Sequence, residues 1–312
     1  MKLFTGRSNP DLALGIAEYL NIPLGKIDIQ TFSDGELLVA FEENIRNEDV
    51  FIIQSTNPPA ENILELLLML DAARRASASK VVAVIPYFGY GRQDRKDRAR
   101  VPISARLMLD MITAVGVSRI ITMDLHSPQI QGFVNVPFDH LYSRMVLLDK
   151  LKELNLDEKS GVVLAPDVGS AKMSQSYAKK LNLGFALIDK RRPKPNQAEV
   201  ANLIGDLKNK EVIIIDDMID TAGTLCNAAE TAINEGAKSV IAVATHPVLS
   251  GGAIKKLKNS PIEKVIVCNT NKLYENQIFD KLEIISVADV FGESIKRIVE
   301  GTSLSSMFHD FN

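Results

Sequence analysis

Cysteine is scarce. The 312 residues contain two, Cys226 and Cys268, and neither belongs to a CxxC pair. A disulfide framework is therefore excluded, and reduced thiols in a cytoplasmic protein are expected. An excess of one charge is missing as well: 36 Lys and Arg stand against 39 Asp and Glu, a net charge of −3. No basic field marks the chain for nucleic acid or an anionic membrane. Long apolar runs are also absent. Lys2, Arg7 and Asp11 break the N-terminal stretch, so no signal-peptide core is expected, and the uncharged run Val81–Gly91 contains Pro86 and is too short to span a bilayer. With 18 Gly and 13 Pro the chain is neither collagen-like nor low-complexity. What remains is an ordinary globular composition, 46% hydrophobic and 24% charged. At about 100–200 residues per domain, the length suits two domains.

Short apolar runs alternate with helical segments. The runs Asp49–Gln54, Lys80–Ile85, Arg119–Met123, Gly161–Ala165, Glu211–Ile215, Ser239–Ala244 and Lys264–Val267 are continuously apolar. That pattern suits strands buried on both faces of a parallel sheet. Pro102 opens a helix over Ile103–Val115, closed by Gly116, and a second over Thr224–Glu235 closes at Gly236. The alternation predicts a doubly wound α/β architecture, with ligands beyond the carboxyl ends of the strands.

One internal match organises the chain. The segment from Gly116 to His126 aligns without a gap on that from Gly236 to His246, each a helix-ending glycine, an apolar strand and a histidine at the strand end. Upstream, Lys80–Pro86 corresponds to Glu211–Asp216 if the first copy carries an insertion of about ten residues, within the usual boundary error. That insertion holds the charged run Arg92–Arg100. The halves read as a duplicated domain whose copies differ in their strand-end loops.

The densest chemistry lies in Val212–Thr224, VIIIDDMIDTAGT. An apolar strand runs into Asp216 and Asp217, then into the small-residue turn Asp220, Thr221, Ala222, Gly223 and Thr224 that opens a helix. Backbone N–H groups at a helix N-terminus, two hydroxyls and a glycine make a phosphate cradle. The paired carboxylates suit sugar hydroxyls or a hydrated Mg²⁺.

This motif resembles the phosphoribosyl-pyrophosphate-binding segment of phosphoribosyltransferases and of the ribose-phosphate pyrophosphokinase family. Phe32–Glu36 (FSDGE), Tyr87–Arg95 (YFGYGRQDR), Met123–His126 (MDLH), Ala165–Gly169 (APDVG) and Asp189–Arg192 (DKRR) resemble the latter, in the family's order and over nearly the whole chain. The resemblance implies two phosphoribosyltransferase-like domains, each a mostly parallel sheet flanked by helices. The expected bounds are residues 1–141 on the ATP side, 142–300 on the ribose 5-phosphate side and a tail, 301–312.

The individual residues admit two readings each. Asp34, Gly35 and Glu36 form either a solvated turn or acceptors for an adenine amino group and a ribose. Phe32 is either a core aromatic or a ring packed on the base. Arg92 and Gln93 follow an aromatic–glycine run and can clamp phosphate and base edges. The resemblance assigns all six to ATP, and His126 and Asp167 to the metal; His246, which precedes Pro247 and has no matching DxH, is given no metal role. Mg²⁺ is the implied cofactor; with an imidazole among its ligands, either His126 binds weakly or the site tolerates Mn²⁺. The prolines and basic residues after Lys190 predict a mobile loop, and the resemblance makes Lys190 and Arg192 the catalytic cations. The resemblance also implies that Arg192 joins Asp216, Asp217 and residues 220–224 in holding ribose 5-phosphate.

The implied reaction transfers the β,γ-pyrophosphoryl group of ATP to the 1-hydroxyl of ribose 5-phosphate, giving phosphoribosyl pyrophosphate and AMP. A phosphoribosyltransferase, or a non-catalytic regulatory subunit of the same family, is the alternative. The resemblance further implies a hexamer, activation by inorganic phosphate and inhibition by ADP, with neither nucleic acid nor membrane as partner. Arg46, Arg100, Ser303 and Ser305 match the effector site, where Asn44 stands in place of the expected serine.

Overall fold

The computed structural model describes residues 1–191 and 200–311, which form two compact units. Among the described residues no helix is long and apolar enough to cross a membrane.

The first unit comprises residues 1–143, 270–272 and 287–310. Its strands are β1 (Lys2–Thr5), a hairpin of β2 (Ile27–Thr31) and β3 (Leu37–Phe41), then β4 (Asp49–Ile53), β5 (Lys80–Ile85), β6 (Arg119–Met123) and β7 (Phe138–Leu141). The helices α1 (Pro10–Leu20), α2 (Glu61–Arg75) and α3 (Ser104–Ala114) connect them. The main sheet has the order β1-β4-β5-β6-β7, parallel throughout. Val50, Ile52, Ala83, Ile85 and Ile120 from its centre pack with Leu66, Met69 and Leu70 of α2 and Leu109 and Ile112 of α3 in one apolar cluster. The continuous apolar runs are thus strands covered by helices.

The second unit comprises residues 144–269 and 273–286. It contains α4 (Arg144–Lys152), β8 (Gly161–Ala165), α5 (Ala171–Leu181), β9 (Gly184–Arg191), β10 (Val200–Ile204), β11 (Glu211–Ile219), α6 (Gly223–Asn234), β12 (Ser239–Pro247), α7 (Ala253–Asn259), β13 (Lys264–Cys268) and β14 (Leu282–Ile285). The sheet order is β10-β9-β8-β11-β12-β13-β14, and only the β10–β9 pair is antiparallel. All nine residues of β12 are buried.

The internal sequence match is a structural one. Gly116 and Gly236 share φ +88°, the left-handed conformation that glycine adopts without strain, and each donates its N–H at 3.0 Å to the carbonyl three residues back, on Thr113 and Ile233. Each then leads into a strand, β6 or β12, that lies parallel beside β5 or β11.

The C-terminal helix α8 (Ala288–Glu300) belongs to the first unit, so the expected C-terminal domain does not extend to residue 300. The physical reason is a close helix–helix fit. Gly15 faces Ala288, Gly292 faces the Tyr19 ring, and the Tyr19 hydroxyl donates to Glu293 at 2.8 Å. Arg297 pairs with Glu293 at 2.6 Å and donates to the Ser303 carbonyl at 2.8 Å, which draws the tail to the same unit.

Candidate active site

Asp216 and Asp217 lie inside β11 and do not follow it, as the end of the apolar run suggested. The long neighbour β12 keeps the ladder going: Asp216 is in register with Ala244, Met218 with His246 and Ile219 with Pro247. On the other side, pairing with β8 stops at Ile214. Beyond that point the strand has one open edge, at the carboxyl end of the sheet, where doubly wound folds take ligands. The Asp217 N–H donates to Asp216 Oδ1 at 3.0 Å. Burial, followed by the charges of Asp217 and Asp167, pushes the Asp216 carboxyl from 3.8 up to about 8. Near neutral pH, with no cation at hand, this group holds its proton.

The turn after β11 opens α6 with a bare N-terminus. Ala222 has φ +59°, which L-residues seldom adopt, and stands at the N-cap of α6. No side chain caps this helix and no acidic residue occupies its first turn, so the positive end of the helix is left for a ligand. A Cβ on Gly223 would meet nothing nearer than Lys256 Nζ at 3.9 Å and Thr221 Oγ1 at 4.0 Å. Two residues not singled out in the sequence hold this turn. Ser250 donates its hydroxyl to Asp220 Oδ1 and its N–H to the Asp220 carbonyl. Lys256 donates to the Thr221 carbonyl at 3.0 Å and brings an ammonium beside the cradle. No sequence signal marked either, because both reach the turn from the β12–α7 connection and α7.

Asp167, just past β8, accepts the Ser170 N–H on Oδ1 at 3.1 Å. At Lys190 the expected loop is a strand instead. β9 continues to Arg191, and Lys190 is in register with Ala201 of β10, whose backbone supplies an antiparallel ladder. The prolines that argued for a loop, Pro193 and Pro195, come later in the chain. Arg192 lies outside the described residues.

In the first unit, FSDGE is the turn of the β2–β3 hairpin. Phe32 N–H donates to the Glu36 carbonyl at 2.8 Å, Gly35 N–H to the Phe32 carbonyl at 2.9 Å and Glu36 N–H to Asp34 Oδ1 at 3.0 Å, with Gly35 at φ +95°. The Phe32 ring is 48% exposed, which excludes the core-aromatic reading. Asp34 and Glu36 are exposed beside it. Arg92 and Gln93 are exposed as well, and Gln93 is anchored to α3, its side-chain oxygen accepting from the Ser104 hydroxyl and its carbonyl from Ala105 N–H at 3.2 Å.

His126 is exposed beyond the end of β6. The turn that carries it is tightly defined. Asp124 has φ +36° and accepts the Ser143 N–H at 3.0 Å, while Leu125 N–H donates to His140 Nε2 at 2.9 Å. Its duplicate His246 is 2% exposed inside β12, a different environment for the same sequence position. Among the described residues, no group of three or more His, Cys, Asp or Glu is disposed to hold a metal. Arg46, Arg100, Ser303 and Ser305 are all exposed. The Asn44 side-chain oxygen accepts the Arg46 N–H at 3.0 Å in a local turn.

Comparison with known proteins follows the same outline. A family model described as the N-terminal domain of ribose phosphate pyrophosphokinase matches residues 1–116, and one described as the phosphoribosyl synthetase-associated domain matches 190–309. A ribose-phosphate pyrophosphokinase of Chlorobaculum tepidum is 51% identical over 312 residues, covering 100% of this chain and 96% of its own. The chain belongs to the ribose-phosphate pyrophosphokinase family. A second member of that family, from Caldanaerobacter subterraneus subsp. tengcongensis, is 52% identical over 309 residues, 99% of this chain and 98% of its own. Among solved structures, phosphoribosylpyrophosphate synthetase from Mycobacterium smegmatis superposes with a TM-score of 0.91 at 37% identity, covering 96% of this chain and 99% of that one. The pyrophosphokinase fold therefore extends over both units.

Proposed function

We propose that the protein transfers the β,γ-pyrophosphoryl group of ATP to the 1-hydroxyl of ribose 5-phosphate, releasing AMP and forming phosphoribosyl pyrophosphate. The observation that carries this reading is the uncapped N-terminus of α6, with Lys256 alongside, directly after a strand bearing Asp216 and Asp217. The N–H groups of residues 221–224 bind the 5-phosphate, and the two aspartates orient the ribose hydroxyls.

The carboxylates around β11 fit a hard divalent cation. Asp216, Asp217 and Asp167 crowd their charges, Asp216 is driven to retain a proton, and oxygen donors are what Mg²⁺ prefers. We assign the metal-holding roles to His126 and Asp167, with Mn²⁺ as a tolerated substitute. Held there, Mg²⁺ would supply charge neutralisation for the ATP phosphates.

Phe32, Asp34, Gly35, Glu36, Arg92 and Gln93 bind ATP in this reading: an exposed ring for the base, acceptors for its polar edge, and a cation for the phosphates. Lys190 and Arg192 stabilise charge developing on the transferred group. The working form is a cytoplasmic hexamer that phosphate activates and ADP inhibits through Arg46, Arg100, Ser303 and Ser305. The test is a radiometric or coupled assay of AMP release from ATP, which must depend on ribose 5-phosphate.

A further inference from the structure

Two segments of the first unit to which the proposed function gives work are joined by a single carboxylate oxygen. Asp94, next to Arg92 and Gln93 in the loop after β5, accepts on Oδ2 from the Ser127 hydroxyl at 2.5 Å and from Gln129 Nε2 at 2.8 Å. Ser127 immediately follows His126. These contacts close 33 and 35 residues of chain, so local geometry does not impose them.

The Ser127 side is informative. Ser127 is the N-cap of the short 3-10 helix Pro128–Phe133, yet its side chain caps nothing in that helix. Ser127 is 7% exposed, and its hydroxyl turns instead to Asp94. A buried hydroxyl needs a partner, and a carboxylate is a strong one. On the Asp94 side, the preceding residue is fixed independently, since Gln93 is tied through its side chain to Ser104 and through its backbone to Ala105 and Tyr90. The segment before Asp94 and the segment before Ser127 are thereby held in one arrangement.

We propose that Asp94 is a positioning residue: accepting from Ser127 and Gln129 together, it fixes the His126 turn relative to Arg92 and Gln93. The inference rests on the functional reading above for what those residues bind, but the link itself does not. Because one oxygen serves both donors, an Asn at this position keeps an acceptor with the same reach, while the charge is lost and the other oxygen, which makes neither of these two contacts, becomes an NH2 group.

That asymmetry supplies the test. Asp94→Ala, Asp94→Asn, Ser127→Ala and the double variant Asp94→Ala/Ser127→Ala are compared in the full-length protein. Without ligands, amide hydrogen exchange over residues 124–131 should quicken in Asp94→Ala and stay near wild type in Asp94→Asn. In the pyrophosphokinase assay, Asp94→Ala should raise the KM for ATP and the half-saturating Mg²⁺ concentration about tenfold, the scale of a lost hydrogen bond to a charged group. The KM for ribose 5-phosphate should move less than about twofold, and the double variant should be no worse than Asp94→Ala, since the two residues share one interaction.

Equal damage from Asn and Ala would overturn the proposal, because it would show that the charge acts directly. Unchanged exchange in Asp94→Ala would overturn it too, as would a loss shared equally by both substrates. If Asp94→Ala does not fold, Ser127→Ala/Gln129→Ala removes both donors and carries the exchange and kinetic readouts, and unchanged exchange there would overturn the proposal. A wild-type protein without ribose 5-phosphate-dependent AMP release would sink the functional reading instead, and the exchange experiment would still decide the link.

Discussion

Ser250 holds Asp220 at two points: its hydroxyl donates to Oδ1, and its N–H donates to the Asp220 carbonyl at 3.0 Å. The turn proposed to hold the 5-phosphate is therefore shaped from outside its own motif.

Removing the hydroxyl should loosen the cradle without emptying it. Ser250→Ala is expected to raise the KM for ribose 5-phosphate about tenfold, again the scale of one hydrogen bond to a carboxylate. The KM for ATP should barely change. Steady-state kinetics with each substrate varied in turn checks this, and a larger effect on ATP would mean that the cradle serves the nucleotide.

Gly223 separates binding from folding. A methyl group there meets only ordinary contacts at 3.9 Å or beyond, so Gly223→Ala should fold with an unchanged or slightly higher Tm. It would nevertheless fill the space through which a phosphate approaches the backbone. Ribose 5-phosphate binding, measured calorimetrically, should fall about tenfold or more. Intact binding would place the phosphate elsewhere.

Asp216 predicts a pH signature. Its carboxyl titrates at 3.8 ordinarily and at about 8 in the fold. Between those values the folded state binds the proton more tightly than the unfolded state. The group's contribution is therefore full below about pH 4 and is lost as pH rises through 8. In chelator-treated protein, Asp216→Asn should remove that loss, so the Tm difference between variant and wild type should grow in the variant's favour from pH 5 to pH 8. Added Mg²⁺ should shrink the difference by stabilising the wild-type carboxylate. A difference that is flat with pH would contradict the environment described.

Arg46 tests regulation. Its guanidinium is exposed, and its backbone N–H is already taken by Asn44. Arg46→Ala should raise the phosphate concentration for half-maximal activation about tenfold while leaving ribose 5-phosphate affinity unchanged. Full activity in phosphate-free buffer, the same in wild type and variant, would remove the effector site from the account.

Much of this was legible in the sequence where burial dictates composition. β4, β5, β6, β8 and β13 are covered on two faces, and continuous apolar runs mark them to within a residue. β7, β14 and the β2–β3 hairpin are only partly buried, so their residues carry no such run. The sequence ended β11 at the first carboxylate, because Asp is a poor strand former. Pairing with β12 overrides that preference: Asp216, Met218 and Ile219 are in the ladder, and Asp217 lies within the strand between them. The small-residue turn that opens α6 could be read because its residues are contiguous. Ser250, Lys256 and the Asp94–Ser127 link could not, since tertiary structure alone brings them to their partners. The same applies to α8, whose place in the first unit depends on Gly15 and Gly292.

The central claim is settled by one measurement: AMP release from ATP, followed with and without ribose 5-phosphate, in wild-type protein and in Lys190→Ala. The account predicts release that requires the sugar phosphate, saturates with it, and drops sharply in kcat with little change in the KM for ribose 5-phosphate when Lys190 is replaced, since a transition-state cation has been removed. AMP release that is indifferent to ribose 5-phosphate, or undiminished in Lys190→Ala, would contradict it.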